Sequence, residues 1–381
     1  MRPAIIFGTR PEIIKLSPVI RAFIKNDIQP ILIHTGQHYD YEMSSIFLEE
    51  LELPEIDYHL EVGSGTQAEQ TGIAMIKIEK VLMNEVPDVS IVQGDTNTVL
   101  AGALASVKLL IPVAHVEAGL RSFDRTMPEE INRILADHSS EVLFAPTLEA
   151  KKNLEREGIR ENVFVVGNTI VDAVLQNSKI AEKKSKILSE LGLEPKSYIL
   201  VTAHRKENVD NKDRLKKLVD ILTSLPMQVV YPVHPRAEKR LKEFGLWDRL
   251  KSSGVMLLKP LGYLDFLKLE KNAFIVMTDS GGIQEEAIIL NVPCLTLRYN
   301  TERPETVKAG GNILVGVEKD LALRYVKKLI EDEAFYKRMA SAKNPFGDGR
   351  SGERIVSILM TLWESGRLKV KTSNFITPQK A

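Results

Sequence analysis

The feature that most constrains this chain is a series of short apolar runs, each followed by a longer amphipathic one, that runs once along the first half and then restarts. Ala4–Phe7, Pro30–His34, Val89–Gln93, Val113–Val116, Glu141–Ala145 and Val163–Val166 form the first set. Tyr198–Thr202, Gln228–Tyr231, Val255–Leu258, Phe274–Thr278 and Cys294–Leu297 form the second. Strands buried on both faces read as continuous apolar runs, and helical segments between them, such as Pro11–Lys25 and Thr96–Leu110, imply βα units around parallel sheets. The fold class is therefore α/β, with two Rossmann-like, doubly wound domains. Domain boundaries are expected at 1–168 and 169–350. The polar, Lys-rich stretch Asp172–Lys196 would carry the chain across. The tail after Lys369 lacks periodicity and is expected to fray.

Composition narrows the function classes. A length of 381 residues suits two domains with a core each. Lys+Arg and Asp+Glu number 51 each, so the chain lacks the basic surplus of a dedicated nucleic-acid binder. The single cysteine, Cys294, excludes an intramolecular disulfide and any CxxC metal or redox motif, and its apolar surroundings suggest a buried small hydrophobe. No apolar stretch approaches the about 20 residues that cross a bilayer. The Val99–Val116 stretch is interrupted by Lys108 and Pro112, and the N-terminus shows no secretory signal. A cytoplasmic protein without membrane contact is expected.

In doubly wound domains ligands bind at the carboxyl ends of the strands, here in a cleft between the two domains. The unusual polar residues collect at those ends. Gly8-Thr-Arg-Pro-Glu12 follows the first strand, and Arg10 and Lys15 put two cations at a helix start, an anion site or a solvated basic face. Asp95 follows Gly94 at the end of one strand and Glu117 follows Val116 at the end of the next, where two carboxylates would enter one cleft. Asp95 can instead cap the helix from Thr96. In Met127-Pro-Glu-Glu-Ile-Asn-Arg133, Glu129 and Glu130 can complement the helix dipole, and Glu129 can pair with Arg133 at i,i+4.

The second half has its own set: His204 and Arg205 in Thr202-Ala-His-Arg205, Val233-His-Pro-Arg236, and Thr278-Asp-Ser-Gly-Gly-Ile-Gln-Glu-Glu-Ala287. In the last, Ser280 can cap a helix. Gly281 and Gly282 let a pyrophosphate approach the backbone amides, and Glu286 can accept hydrogen bonds from a ribose diol. Arg303 lies beyond the next strand. Neither GxGxxG nor GxxxxGK[ST] occurs after any strand, so nicotinamide, flavin and P-loop sites are unsupported.

Read in order, GTRPE (8–12), GQH (36–38), GDT (94–96), HVEAGLR (115–121), PEEINR (128–133), FAPT (144–147), GNT (167–169), TAHRKEN (202–208), TDSGGIQEEA (278–287), TERPE (301–305) and NPFGDG (344–349) resemble the non-hydrolysing UDP-N-acetylglucosamine 2-epimerases. The resemblance covers all but the tail. It implies the two-domain GT-B fold, with residues 351–370 returning to the first domain in a final helix over Ile355–Arg367. It also implies interconversion of UDP-GlcNAc and UDP-ManNAc, supplying ManNAc-type precursors for surface polysaccharide or glycan synthesis. The implied route is loss of UDP to 2-acetamidoglucal and its re-addition, with no cofactor and no metal.

By that resemblance Arg10, His204, Ser280, Gly281, Gly282 and Arg303 form the diphosphate and UDP set, with Glu286 on the ribose and Leu261 and Phe266 at the uracil loop. Asp95, Glu117 and Glu129 are the sugar-side acids, supported by Lys15 and Arg133. His204 is counted with these acids as catalytic. Gln37, His38, Gln67, Gln70 and Arg205 match a second UDP-GlcNAc site that activates relatives, although His38 is followed here by Tyr39 and not by the Arg that many bacterial relatives carry. Relatives are commonly homodimers. Three readings compete: a GT-B glycosyltransferase using UDP-GlcNAc, a hydrolysing epimerase, and a non-catalytic nucleotide-sugar-binding regulator. All three acids are present, and three acids with two cations facing the sugar suit elimination better than acceptor binding.

Overall fold

The computed structural model describes residues 1–36 and 47–368. The expected readings at Gln37, His38 and the tail lie outside them. Two units divide the chain: residues 1–173 with 346–368, and residues 174–345. The division falls inside the helix Thr169–Lys184. That helix is continuous, and its first turn is fixed in the first unit by Asp172, which accepts the Gly352 amide at 2.9 Å.

The first unit is built on seven parallel strands: β1 Pro3–Phe7, β2 Ile31–His34, β3 Tyr58–His59, β4 Val89–Gln93, β5 Val113–Val116, β6 Val142–Ala145 and β7 Val163–Val165. Their order is β3-β2-β1-β4-β5-β6-β7, so the winding reverses between β1 and β4. The second unit has six: β8 Tyr198–Thr202, β9 Gln228–Pro232, β10 Met256–Leu258, β11 Ile275–Thr278, β12 Cys294–Thr296 and β13 Asn312–Leu314. They run β10-β9-β8-β11-β12-β13, with the reversal between β8 and β11. Crevices at such reversals, beyond the strands' carboxyl ends, are where doubly wound sheets take ligands.

Every residue of β1, β4 and β5 is buried, which is why these strands read as unbroken apolar runs. In β8 alternate residues serve two cores: Ile199 and Val201 pack with Tyr231, Met277 and Leu295, while Tyr198 and Leu200 pack with Val230, Val276 and Cys294. Cys294 is fully buried, and burial pushes its thiol pKa up. The returning helix Ser351–Glu364 packs on the helix Arg10–Lys25, so tightly that a Cβ at Gly352 would stand 2.7 Å from the Pro18 carbonyl oxygen. Among the described residues no helix is long and apolar enough to cross a membrane.

Candidate functional site

In the first unit the polar residues converge on the β1/β4 reversal. Thr9 caps the helix Arg10–Lys25, and Glu12, three residues on, closes a reciprocal capping box. Buried Glu12 accepts the amides of Gly8 (2.9 Å) and Thr9 (2.7 Å) and the hydroxyls of Thr9 (2.8 Å) and Thr96 (2.7 Å). Burial raises its pKa, against the lowering effect of those bonds. Glu12 thereby ties the β1 loop to the β4 loop. The glycine before it is required sterically: a Cβ on Gly8 would lie 2.3 Å from the Thr98 hydroxyl.

One turn further on, Lys15 reaches Glu117 at the tip of β5, with Nζ 2.7 and 2.8 Å from the two carboxylate oxygens. Glu117 is 7% exposed. It also accepts from the Gln93 amide group and, at 3.2 Å, from that of Asn168. Its backbone is left-handed at φ 68°, an uncommon state for a residue with a Cβ. A buried carboxylate held by a cation and two amides on a strained loop is a built arrangement.

Beneath it, His115 is fully buried with Nδ1 2.7 Å from Asp137 and Nε2 2.8 Å from the Gly94 carbonyl oxygen. Asp137 also receives the Gly119 amide at 3.1 Å and Arg121 at 2.7 Å, so it is ionised. Both acceptors lack protons, so both ring nitrogens carry one and His115 is an imidazolium. Burial alone would lower its pKa, but Asp137 outweighs burial and raises it. The converse holds at Asp137: burial raises its pKa, and His115 and Arg121 bring it below the ordinary value. This charged node clamps the β4 tip to the β5 tip.

Asp95 does not cap its helix. Thr96 does, accepting from the Val99 amide at 3.4 Å, because a threonine at the cap position places its short hydroxyl against the first turn. The Asp95 side chain, 30% exposed, pairs instead with Arg133. Arg133 takes Glu130 at 3.0 Å (i,i+3), not Glu129. Glu130 is buried and committed to the amides of Ser122 (2.8 Å) and Phe123 (2.9 Å), which hold it close to Arg133. Glu129 and Arg10 are exposed, and the Arg10 guanidinium lies 5.0 Å from the Phe47 ring centroid.

In the second unit the β8/β11 reversal is organised by Asp279, fully buried at the end of β11. It accepts the amides of His204 (3.1 Å) and Arg205 (3.0 Å) and the Asn208 side chain (3.0 Å), presenting the His204 ring from the β8 loop. That ring stacks on His234 at 5.3 Å. Burial lowers the His204 pKa, Asp279 opposes this, and His234 and Arg205 reinforce it, so the ring is neutral at pH 7.

Ser280 occupies the N-cap position of the helix Gly281–Ile289, but its hydroxyl makes no cap bond, contrary to the sequence reading. Its backbone amide donates to the Thr278 hydroxyl at 2.9 Å. Neither glycine is required by the fold: neither has a positive φ, and added Cβ atoms would meet only Glu302 at 3.5 Å (Gly281) and Ser280 at 4.0 Å (Gly282). The first-turn amides of this helix favour an anion. Arg303 is drawn to the same helix by an ion pair with Glu285. Gln284 holds that loop by accepting from Thr301 at 2.5 Å. Leu261 and Phe266 pack on the core beside Ile283 of this helix, and Glu286 is buried in it.

The sequence model of the family described as UDP-N-acetylglucosamine 2-epimerase matches residues 22–360. The chain belongs to that family. It is 59% identical over 367 residues to the UDP-N-acetylglucosamine 2-epimerase of Methanocaldococcus jannaschii, covering 94% of this chain and 99% of the relative. It is 52% identical over 363 residues to the enzyme of the same name from Methanococcus maripaludis, covering 93% and 97%. The fold superposes on the crystal structure of the M. jannaschii UDP-GlcNAc 2-epimerase in complex with UDP-GlcNAc and UDP with a TM-score of 0.80, at 58% identity, covering 95% of this chain and 100% of the other. The fold is that of the UDP-GlcNAc 2-epimerases, which is GT-B-like.

As a member of the epimerase family the chain carries the residues its motifs announced, in two separate groups. The first unit gathers Lys15 with Glu117, and Asp95 with Arg133. The second holds His204 against Asp279, just before the helix Gly281–Ile289 that carries Gly281, Gly282 and Glu286, with Arg303 paired to Glu285 of the same helix. Gln67 is exposed at the start of the helix Gln67–Glu85. Gln70 accepts from Asn97 at 3.0 Å. Arg205 faces Glu302 at 3.5 Å. Sequence reasoning did not single out Glu12, Gln93, Asn168, Asp137 or Asp279. Gln93, Asn168 and Asp279 lie at or just beyond the ends of β4, β7 and β11, where an amide or carboxylate after an apolar run was the usable signal, whereas Glu12 and Asp137 lie within helices and carried no such mark. Among the described residues no group of three or more His, Cys, Asp or Glu side chains is arranged to hold a metal ion.

Proposed function

We propose that this chain interconverts UDP-GlcNAc and UDP-ManNAc by eliminating UDP and adding it back. The observation that carries the reading is Glu117, a buried carboxylate held against an ammonium group and two amides at the tip of β5. The sugar's C2–H is not next to a carbonyl, so it is too weakly acidic for direct removal. Breaking the C1–O bond first gives C1 oxocarbenium character, and C2–H then becomes acidic. A carboxylate takes the proton, the C1–C2 double bond forms, and 2-acetamidoglucal and UDP remain bound. A proton delivered to the opposite face of C2 and return of a UDP oxygen to C1 give the epimer.

The roles divide by unit. UDP falls to the second: amides of the Gly281–Ile289 helix start, Arg303 and neutral His204 stabilise the charge on the leaving diphosphate, Glu286 accepts the ribose diol, and Leu261 and Phe266 flank the base. Proton transfer falls to the first. Glu117 and Asp95 act nearest C2, tuned by Lys15 and Arg133, while Arg10 offers a cation to the leaving diphosphate and Glu129, on the sugar side, supports elimination. Two carboxylates with different partners suit opposite roles, one as acid and one as base. UDP-GlcNAc supplied to the protein and followed by NMR should yield UDP-ManNAc. Free ManNAc with UDP would replace epimerisation by hydrolysis, and an unchanged sugar would leave transfer or binding.

We further propose a homodimer, and a second UDP-GlcNAc as activator, with Gln37, His38, Gln67, Gln70 and Arg205 as the residues that would bind it. Conversion of UDP-ManNAc alone, without lag, would overturn the activator.

A further inference from the structure

In the second unit one buried acid has no part in the chemistry above. Glu270, on the helix Tyr263–Asn272, is fully buried among the apolar side chains that line this face of the sheet, including Leu269, Ala273, Ala287 and Cys294. Among the described residues neither of its carboxyl oxygens meets an N–H or hydroxyl donor. On the helix Gly281–Ile289 one carboxyl oxygen of Glu286 is likewise buried, and the two acids interact electrostatically. Two carboxylates cannot share that contact as two anions, because each would be desolvated against a like charge. A single proton between them removes the conflict and makes a hydrogen bond from acid to carboxylate.

The arrangement decides which residue holds the proton. Glu270 is fully buried in the apolar layer, whereas Glu286 is 7% exposed. Burial, and then Glu286, push the Glu270 pKa well above 4.5. The other titratable groups facing it are the Cys294 thiol on β12, whose pKa is itself raised by burial and by Glu270, and Tyr198 on β8, whose hydroxyl donates to the Leu269 carbonyl oxygen at 2.6 Å. No cation is among them.

We propose that Glu270 is a positioning residue for the nucleotide: as the neutral acid it donates a hydrogen bond to Glu286 and so fixes the carboxylate that accepts the ribose diol. This deepens the reading above and rests on its assignment of Glu286 to the ribose. The bond orients the Glu286 carboxyl and limits its rotation, so that it meets the two sugar hydroxyls in one geometry. Glu270 acts through Glu286 and touches no substrate.

The test compares UDP with 2′,3′-dideoxy-UDP by calorimetric titration of the full chain and of the variants E270M, E270Q and E286Q. Methionine fills the apolar site without an unpaired acid, so E270M is expected to fold with a melting temperature at or above that of the parent. E270M should lose about tenfold of the preference for UDP over the dideoxy analogue, the size of one hydrogen bond to a charged group. For UDP-GlcNAc its KM should rise more than its kcat falls. E270Q should keep the preference, because its amide can donate to Glu286 as the acid does. In an E286Q background E270M should have no further effect. Undiminished preference in E270M, or equal loss in E270Q and E270M, overturns the proposal. If E286Q itself keeps the preference, the ribose assignment fails; if E286Q loses it while E270M does not, that assignment stands and only the positioning role falls.

Discussion

Glu117 concentrates the demands of the chemistry on one side chain. It is buried, sits on left-handed backbone, and is held by Lys15, Gln93 and Asn168. Glutamine at this position preserves the shape but cannot take a proton. E117Q should lower kcat by about 10²-fold or more, the scale of a lost acid–base group, while UDP affinity measured by calorimetry stays within about twofold. Beneath it the His115–Asp137 node predicts a pH signature. The raised His115 pKa means its contribution to stability is complete below its ordinary value of 6.5 and is lost as pH rises through the folded value. The lowered Asp137 pKa means its contribution is complete above 3.8 and is lost as pH falls through its folded value. Chemical denaturation of the parent and of H115Q should therefore differ most, by about 3 kcal/mol, between roughly pH 4 and 6.5, and the gap should narrow in alkali. A gap that widens with rising pH would mean the ring is neutral. None of this node was legible in the chain: His115 and Asp137 are far apart in sequence, and nothing in a helix ending Ala136-Asp137-His138 marks the middle residue as buried.

At the scale of elements, two glycine-bearing turns make opposite predictions. Gly8 is glycine because the β1 loop passes against Thr35 and Thr98, so G8A should unfold at a lower temperature. Gly281 and Gly282 have room for a Cβ, and alanine is the better helix former, so G281A and G282A should match or exceed the parent in thermal stability. The same two variants should bind UDP about tenfold or more weakly, because the methyl group occupies the approach to the helix amides. Paired measurements of melting temperature and calorimetric affinity separate these effects, and loss of both together would make the glycines structural. The central strands were readable because buried parallel strands are continuous apolar runs. Tyr58–His59 and Asn312–Leu314 escaped because the first is two half-buried residues long and the second follows directly on a glycine turn. The caps were only half legible. Position alone suggested Asp95 and Ser280, but the hydroxyl of Thr96 caps one helix and no side chain caps the other.

For the whole molecule, the two series of strands in the sequence correspond to two parallel sheets, each reversing once, and the motif residues sit at the two reversals. The motifs were legible because chemistry, not packing, chose their residue types: an Asp or a Glu at the tip of an apolar strand has no packing purpose. What holds them in place was less so, since the partners of Gln93, Asn168 and Asp279 are set only when β4, β7 and β11 are placed beside their neighbours. The return of Ser351–Glu364 to the first unit depends on Gly352 meeting Pro18 and on Asp172 meeting the Gly352 amide, contacts between residues that sequence spacing does not link. The chemistry assigned to this assembly predicts a property of the product. If UDP leaves before C2 loses its proton, UDP-GlcNAc incubated with the protein in D2O must acquire deuterium at C2 in both UDP-GlcNAc and UDP-ManNAc, seen by NMR as loss of the C2 proton signal in both sugars. UDP-ManNAc formed with its C2 hydrogen retained would contradict elimination and proton exchange at C2.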